Sequence, residues 1–414
     1  MRDVDLYQQA LGLTEPWSVS KVELTVAGQR VDVWVSHTPD MRWPCPECKT
    51  DLPLYDHSEE RSWRHLDTMQ FKTFLHARPP RVECPDHGVK QVELPWAEPH
   101  SRFTVLFERF AIDVLKQTDI QGGTRILRIS WNAAMHLIER AVKRGHGAKE
   151  KEVVAYLGVD EKAARKGHKY LTLVCDLEKG TVEHVGIDRT EESLSAYFQT
   201  LSTQQLEGIQ AIAVDMWQPF LNAARKHVPN ADEKLVYDRF HIMTHVGKAV
   251  DDVRKREHRE LRNVGDETLT RSKYLWLYAQ ENLPERHRQR FQELKAINLK
   301  TGRAWAIKES LRDLWTYVRR TSADRFWKRW FLWATHSRLK PIIDVAYFVK
   351  RHIDHVLNFF QYGVTNAVSE GINSKIQTIK KMAYGFRNLE NFKTTIYFHC
   401  GGLQLYPATH GNGG

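Results

Sequence analysis

The order of extended and helical segments between Val153 and Asp215 restricts the fold of this chain more than any other feature. Three runs rich in β-branched and aromatic residues, "VVAYLGVD", "HKYLTLVCDL" and "TVEHVGI", follow one another with turns between them. A helical stretch from about Glu191 to Leu201 comes next, then a fourth apolar run, "IQAIAVD". Strands followed by a helix and a further strand predict an α/β sheet with a crossover. The first and fourth runs both end in aspartate, Asp160 and Asp215. An acid in that place is ordinarily a turn residue or a helix cap. Asp215 is suited to cap a helix beginning "MWQPF", where Pro219 fits a first turn.

The rest of the chain is organised around this sheet. Residues 20–36 alternate like a hairpin around Gly28, and residues 102–145 read as helical. From about His241 to Arg351 the sequence is basic, helical and rich in tryptophan. Ile307, Leu311, Leu314, Trp315 and Val318 form one apolar stripe there. The tail "ATHGNGG" is expected to be disordered. The 414 residues are thus divided at 1–100, 101–150, 151–240, 241–350, 351–405 and 406–414.

At 42% apolar and 27% charged residues, the composition is that of a globular protein. No apolar run approaches the ~20 residues of a membrane span. The start "MRDVDLYQQALGL" lacks a basic head followed by an apolar core, so a cytoplasmic location is expected. The net charge of +10 favours a polyanionic partner such as nucleic acid. Five cysteines are too few and too unevenly placed for a disulfide framework; Cys175 and Cys400 read as small core residues.

The other three cysteines form a pattern. Cys45-Pro-Glu-Cys48 and Cys84-Pro-Asp-His87 are two pairs with the same two-residue gap and the same proline. Such a gap lets both side chains of a pair reach one tetrahedral ion from a tight turn. In a reducing compartment the pattern predicts zinc, held by four protein ligands and hence structural. Three buried cysteines and a surface histidine are the alternative. Arg61, Arg64, Arg78 and Arg81 lie around this segment, with Trp63 among them, either as phosphate contacts or as a solvated face.

Residues 105–144 carry a second DNA-related pattern. Ser130 is placed to cap a helix in which Ala134, Leu137, Ile138, Ala141 and Val142 share one face. The preceding "TRILRIS" supplies a short helix and a turn, with Gly122-Gly123 weakening the middle helix. A trihelical unit of this kind places its last helix in a major groove. Arg125, Arg128, Arg140, Lys143 and Arg144 are the candidate phosphate contacts; an ordinary helical hairpin is the alternative.

"TNAVSEGINSKIQTIKKMAYGFRN", residues 365–388, predicts one helix ended by Gly385. Val368, Ile372, Ile376 and Ile379 form its buried edge. The opposite edge collects Glu370, Asn373, Ser374, Gln377 and Lys381. One acid heads a face of amides, a hydroxyl and lysines, which suits an anion held beside a single carboxylate. In an RNase H-like sheet three strands form an antiparallel meander and the fourth returns beside the first, bringing the ends of strands one and four together. A later helix can then deliver a third carboxylate. Asp160, Asp215 and Glu370 would be such a set, able to hold two Mg²⁺ ions through hard oxygen ligands. Asn373, Lys375 and Lys381 would then lie along the DNA backbone.

"YLGVDEKAARKGHKY", "AVDMWQPF", "YDRFHI" and "NAVSEGINSKIQTIKKMAYGFRN", in that order, resemble the DDE transposases of the ISL-three insertion-sequence family. The resemblance extends upstream to "RSWRHLD", the paired knuckles and the helix-turn-helix region. It implies a multidomain α+β protein with an N-terminal zinc-binding segment, a helix-turn-helix, and an RNase H-like catalytic domain interrupted by a helical insertion. By position, Asp160, Asp215 and Glu370 match the family's catalytic triad, with Mg²⁺ or Mn²⁺ as cofactor. Asp238 and His241 resemble a D-x2-H element that supports the acids from behind; packing at a helix start is the alternative. His87 stands where the family more often has cysteine. The implied activity is cleavage of the terminal inverted repeats of a bacterial mobile element and joining of the 3′ hydroxyls to target DNA. A homodimer or larger assembly on double-stranded DNA, associated with the nucleoid, is implied as well. A nuclease that cuts without joining is one rival, and a non-enzymatic zinc and helix-turn-helix regulator is another.

Overall fold

The computed structural model describes residues 2–150, 152–165, 169–365 and 367–408. The chain forms two compact units. The first comprises residues 1–150, 382–384 and 390–414; the second comprises 151–381 and 385–389.

The first unit opens with α1 (Asp3–Ala10) and two small sheets. β1 (Trp17–Thr25), β2 (Arg30–His37), β5 (Arg61–Arg64) and β6 (Lys72–Ala77) make the order β1-β2-β6-β5. β3 (Arg42–Pro44), β4 (Asp51–His57), β7 (Pro80–Cys84) and β8 (Gly88–Gln91) make the order β3-β4-β7-β8. Trp17, Trp43, Trp63 and Trp96 are buried in their common core. Trp17 meets Trp43 at 5.1 Å and Trp96 at 4.9 Å between ring centroids. Tilted and edge-on tryptophans supply much apolar area to sheets too small to bury it otherwise.

Three helices follow: α2 (Val105–Gln117), α3 (Ile120–Leu127) and α4 (Trp131–Ala148). Each is capped by a side chain. Thr104 accepts from Phe107 N–H, Asp119 from Gly122 N–H and Ser130 from Ala133 N–H. The two glycines expected to weaken the middle helix lie inside it. A Cβ on Gly123 would fall 2.6 Å from Leu115 Cδ2, so the missing side chain is what lets α3 close on α2. Arg128, in the left-handed conformation at φ 56°, turns the chain into α4.

The second unit is built on a five-stranded sheet. Its strands are β9 (Tyr156–Arg165), β10 (Lys169–Asp176), β11 (Thr181–Ile187), β12 (Ala211–Val214) and β13 (Leu235–Tyr237), in the order β11-β10-β9-β12-β13. β9, β10 and β11 pair antiparallel. α5 (Glu191–Phe198) and α6 (Thr203–Gly208) then carry the chain across, so that β12 runs parallel to β9. α7 (Gln218–His227) and α8 (Ala231–Lys234) lead to β13, parallel to β12.

A helical region continues from this sheet: α9 (Arg239–Arg262), α10 (Lys273–Leu277), α11 (Glu285–Ala296), α12 (Lys300–Leu311), α13 (Arg320–Thr335), α14 (Lys340–Arg351), α15 (Ile353–Leu357) and α16 (Phe359–Tyr362). Leu157, Val159, Ile212 and Val214 of the sheet share one core with Ile242, Val246 and Trp276 of these helices. Buried polar groups fix the joints. Glu257 accepts from the N–H groups of Lys300 and Thr301 at 2.7 Å each, at the start of α12. Asn358 donates to Leu235 O at 2.9 Å, tying the end of α15 to β13. The stripe read over Ile307–Val318 is corrected only at its end, since Ile307, Leu311 and Leu314 are buried in one core with Trp315 packed against it. α12 ends at Leu311 and a 3₁₀ turn follows over Arg312–Thr316, so the period breaks and Val318 is 88% exposed.

α17 (Ala367–Met382) buries Ile372 and Ile376, but Val368 at its start is exposed. Gly385, at φ 94°, donates to Lys380 O at 2.9 Å and closes the helix. α18 (Leu389–Cys400) belongs from Glu390 onward to the first unit. There Tyr397 meets His146 of α4 at 4.6 Å, although the sequence division carried the catalytic domain through 405. The disorder expected from 406 is also corrected at its start. Tyr406 Oη donates to Asp113 at 2.6 Å, and Arg109 donates to Pro407 O at 3.1 Å. Residues 409–414 of that tail lie outside the described residues. No described helix is long and apolar enough to cross a membrane.

Candidate functional site

The parallel ladder between β9 and β12 ends at the pair Val159–Val214. Asp160 and Asp215 are the next residues on each side. Neighbouring strands are ~4.8 Å apart, so the two acids start from adjacent backbone positions. One expectation needs correcting: Asp160 does not end its strand. β9 runs on to Arg165 because β10 continues to pair with it, Asp160 opposite Leu173. Asp160 accepts from the N–H of Glu161 at 2.7 Å and from the Asn373 amide. Burial pushes its carboxyl above the usual range. The nearby Asp215 charge adds to this, while the Glu161 N–H and His241 oppose it.

Asp215 does not cap α7. The N-cap position is held by Trp217, which makes no side-chain capping bond. The Asp215 carboxylate instead accepts from Met216 N–H at 2.6 Å and faces His241 Nδ1 at 3.3 Å. Asp238 caps α9, accepting from Phe240 N–H at 2.9 Å. That cap sets the first turn of α9, from which His241 reaches Asp215. Of the pair read as supports, His241 touches an acid and Asp238 positions the helix that carries it.

α17 is fastened to β9 by three contacts. Asn373 Nδ2 donates to Asp160, Lys162 Nζ donates to Asn373 O at 3.0 Å, and Lys380 Nζ donates to Ala163 O at 2.8 Å. The Asn373 amide, expected along a DNA backbone, is engaged with the acid instead. Lys162 and Lys380 were not anticipated. Lys162 shares a strand face with Asp160, and Lys380 follows Asn373 by two helical turns, so periodicity alone could have marked both. Glu370 stands one turn before Asn373 and is exposed, as are Lys375 and Lys381. Among the described residues, Glu370, Asp160 and Asp215 do not form a set of ligand atoms lying within 4.8 Å of one another.

Cys45, Cys48, Cys84 and His87 do form such a set. Cys45 follows β3, and Cys84 ends β7 ahead of the turn that bears His87. Cys48 and Cys84 sulfurs are 3.6 Å apart, and His87 Nδ1 lies 3.4 Å from Cys84 and 3.9 Å from Cys45. A tetrahedron with 2.3 Å Zn–S bonds has edges of ~3.8 Å, so the spacing suits zinc. Hydrogen bonds from Thr50 hold the Cys48 thiol at about 6, favouring the thiolate a metal needs. His87 Nε2 faces Glu47 at 3.6 Å, and Glu47 in turn pairs with Lys90 at 2.6 Å.

The basic residues assigned to DNA divide into two groups. Arg125 and Lys143 are exposed on α3 and α4. Three others are tied to acids or carbonyls within the first unit. Arg128 pairs with Asp67 at 3.0 Å and donates to Gln70 O. Arg140 and Arg144 pair with Glu98 at 2.9 and 2.6 Å, and Arg144 reaches Glu108 at 2.9 Å. Glu108 is 1% exposed, so Arg140 and Arg144 compensate a buried charge and are not offered to phosphates. Arg81 is likewise paired, with Asp56. Arg144→Ala is therefore expected to cost about 2 kcal/mol, because buried Glu108 loses its nearest cation and keeps only Arg140 at 3.4 Å and the Ser101 hydroxyl at 2.7 Å. It should lower the melting temperature while leaving the salt dependence of DNA binding unchanged; the reverse pattern would return Arg144 to the DNA surface.

The chain thus combines a four-ligand cluster suited to zinc, three capped helices and an α/β sheet with Asp160 and Asp215 on neighbouring strands, and sequence comparison gives its class, a DNA-binding, nucleic-acid-processing enzyme. A transposase family profile matches residues 157–396. The zinc-finger of transposase IS204/IS1001/IS1096/IS1165 matches residues 41–87, and the helix-turn-helix domain of transposase family ISL3 matches residues 92–142. The chain belongs to the ISL3 family of insertion-sequence transposases. It is 26% identical over 389 residues to the transposase for insertion sequence element IS1001 of Bordetella parapertussis, covering 93% of this chain and 95% of that one. It is 24% identical over 421 residues to the transposase for insertion sequence element IS1557 of Mycobacterium tuberculosis, covering 94% of this chain and 93% of that one.

Proposed function

We propose that the protein binds the terminal inverted repeats of an insertion sequence, cleaves the DNA ends by two-metal hydrolysis and joins the freed 3′ hydroxyls to target DNA. The observation that carries this reading is the adjacency of Asp160 and Asp215 where the β9–β12 ladder ends, with α17 fastened beside them. We read the sheet as RNase H-like, since a three-strand meander, a crossover helix and a parallel fourth strand beside the first are its connectivity. The helices from α9 to α16 are then an insertion between Asp215 and Glu370.

Asp160, Asp215 and Glu370 offer only oxygen donors, which suits Mg²⁺ or Mn²⁺. Bound there, such ions supply Lewis acidity for the attacking oxygen and for the leaving 3′ oxygen. The chain's own groups prepare the acids. His241 Nδ1 faces Asp215 at 3.3 Å and restrains where that carboxylate lies. Asn373 orients Asp160, and the Lys162 and Lys380 contacts hold the Glu370 helix against β9. Exposed Arg125, Lys143, Lys375 and Lys381 are the proposed phosphate contacts. Two element ends must be held together for joining, so a homodimer or larger assembly is part of the proposal.

The test uses purified protein and a supercoiled plasmid carrying the element with its own ends. Excised and joined products should appear with Mg²⁺ or Mn²⁺ and vanish with a chelator. Metal-dependent nicks without joined products would favour a nuclease, and intact plasmid under all conditions would leave a DNA-binding regulator.

A further inference from the structure

An open cavity of about 510 Å³ lies within the first unit, between the β5–β6 edge and the turn into α4. Its walls carry five cations: Arg61, Arg64, Lys72, Arg102 and Arg128. Among the described residues, Asp67 is the one carboxylate paired with any of them, contacting Arg64 and Arg128. The net charge is therefore strongly positive in a small volume. Ser130 and Ala133 also line it, so the N-terminus of the 18-residue helix α4 faces the same space.

The cavity is built and held. Arg64 is 6% exposed, with its guanidinium 5.6 Å from the Phe74 ring and 5.1 Å from the Phe107 ring. It donates to Thr73 O, His65 O and Asp67, yet its Nε–H is buried with no partner among the described residues. Phe74 and Phe103 add an apolar wall. A lone phosphate would leave most of the volume empty, whereas a sugar–phosphate unit uses both the cations and the rings.

We propose that this cavity receives the sugar–phosphate backbone of duplex DNA, making the β5–β6 sheet a second backbone clamp beside the helix-turn-helix. The proposal rests on the DNA-binding reading and extends it to a segment outside the three helices. It also gives Arg61, which pairs with no carboxylate among the described residues, a role that Arg81, tied to Asp56, does not share.

The test compares the full-length wild type with an Arg61→Ala/Lys72→Ala/Arg102→Ala variant, using a fluorescein-labelled duplex of mixed sequence titrated over a range of salt. Each lost phosphate contact should make the slope of log affinity against log salt shallower by about 0.9, and three together should weaken binding roughly a hundredfold at moderate salt. Arg102→Glu, a single exposed change, should shift both quantities in the same direction, so a folding defect in the triple variant would not decide the matter. Lys21→Ala/Lys49→Ala on the same unit should change little. Wild-type affinity and slope in the Arg102→Glu and triple variants would overturn the clamp while leaving DNA binding by the rest of the chain intact. A wild type that fails to bind duplex would overturn both. Inorganic phosphate that stabilises the wild type and not the variants, at equal duplex affinity, would assign the cavity to a free anion and overturn the DNA assignment.

Discussion

Asp215→Asn is expected to lower excision by about three orders of magnitude or more while the protein remains folded and bound to DNA. The structure makes this a clean substitution. Asp215 caps no helix, and the one backbone bond it accepts, from Met216 N–H, can be accepted equally by an asparagine oxygen. What is lost is the charge facing His241 and the capacity to hold a divalent ion. An ion that contributes some 4 kcal/mol to the transition state accounts for about a thousandfold in rate. Glu370→Gln should behave in the same way. Glu370 is exposed on α17, so glutamine there costs the fold almost nothing, glutamate and glutamine having similar helix propensities. The measurement is excision frequency beside duplex affinity for each variant. Near-normal excision in either one would remove that residue from the site.

Losing the zinc should be the larger blow to stability. Cys45→Ser/Cys48→Ser removes two of four ligands that close the β3–β4 and β7–β8 turns. These strands are short, three to seven residues each, and depend on the metal and on the tryptophan core for their order. Small zinc modules owe ~10 kcal/mol to their ion, so the segment should become protease-sensitive in the variant or after chelation. Acid should act in the same direction, because thiolate and neutral imidazole are the ligand forms and protonation competes with the metal. Purified protein should carry about one equivalent of zinc, lost in the variant. Less than a tenth of an equivalent in wild-type protein would contradict a structural zinc.

Local periodicity made much of this molecule readable. The strands between Val153 and Asp215, the Ser130 cap and the helix after Thr365 all follow from spacing within a few residues. The paired knuckles were visible for the same reason, since each pair closes through its own turn. The misreadings share a different cause. Arg140 and Arg144 look like solvent-facing cations until Glu98 and Glu108, more than thirty residues upstream, are folded beneath them. Asp160 looks like a strand end until β10 extends β9 past it. Gly122 and Gly123 read only as a weakening of the middle helix until Leu115 of α2 packs against Gly123. The placement of α18 with the first unit and the Asn373–Asp160 contact depend on partners hundreds of residues apart, which no local pattern encodes.

Iron-directed cleavage of the polypeptide measures directly whether Glu370 serves the same ions as Asp160 and Asp215. Fe²⁺ substituted for Mg²⁺, with ascorbate and peroxide, generates radicals that cut the backbone close to the metal. Three clusters of cuts are expected, near residues 160, 215 and 370, all suppressed by excess Mg²⁺ and all weakened together in Glu370→Gln. Cuts near 160 and 215 that persist unchanged in Glu370→Gln, with none near 370, would contradict a site shared by the three acids.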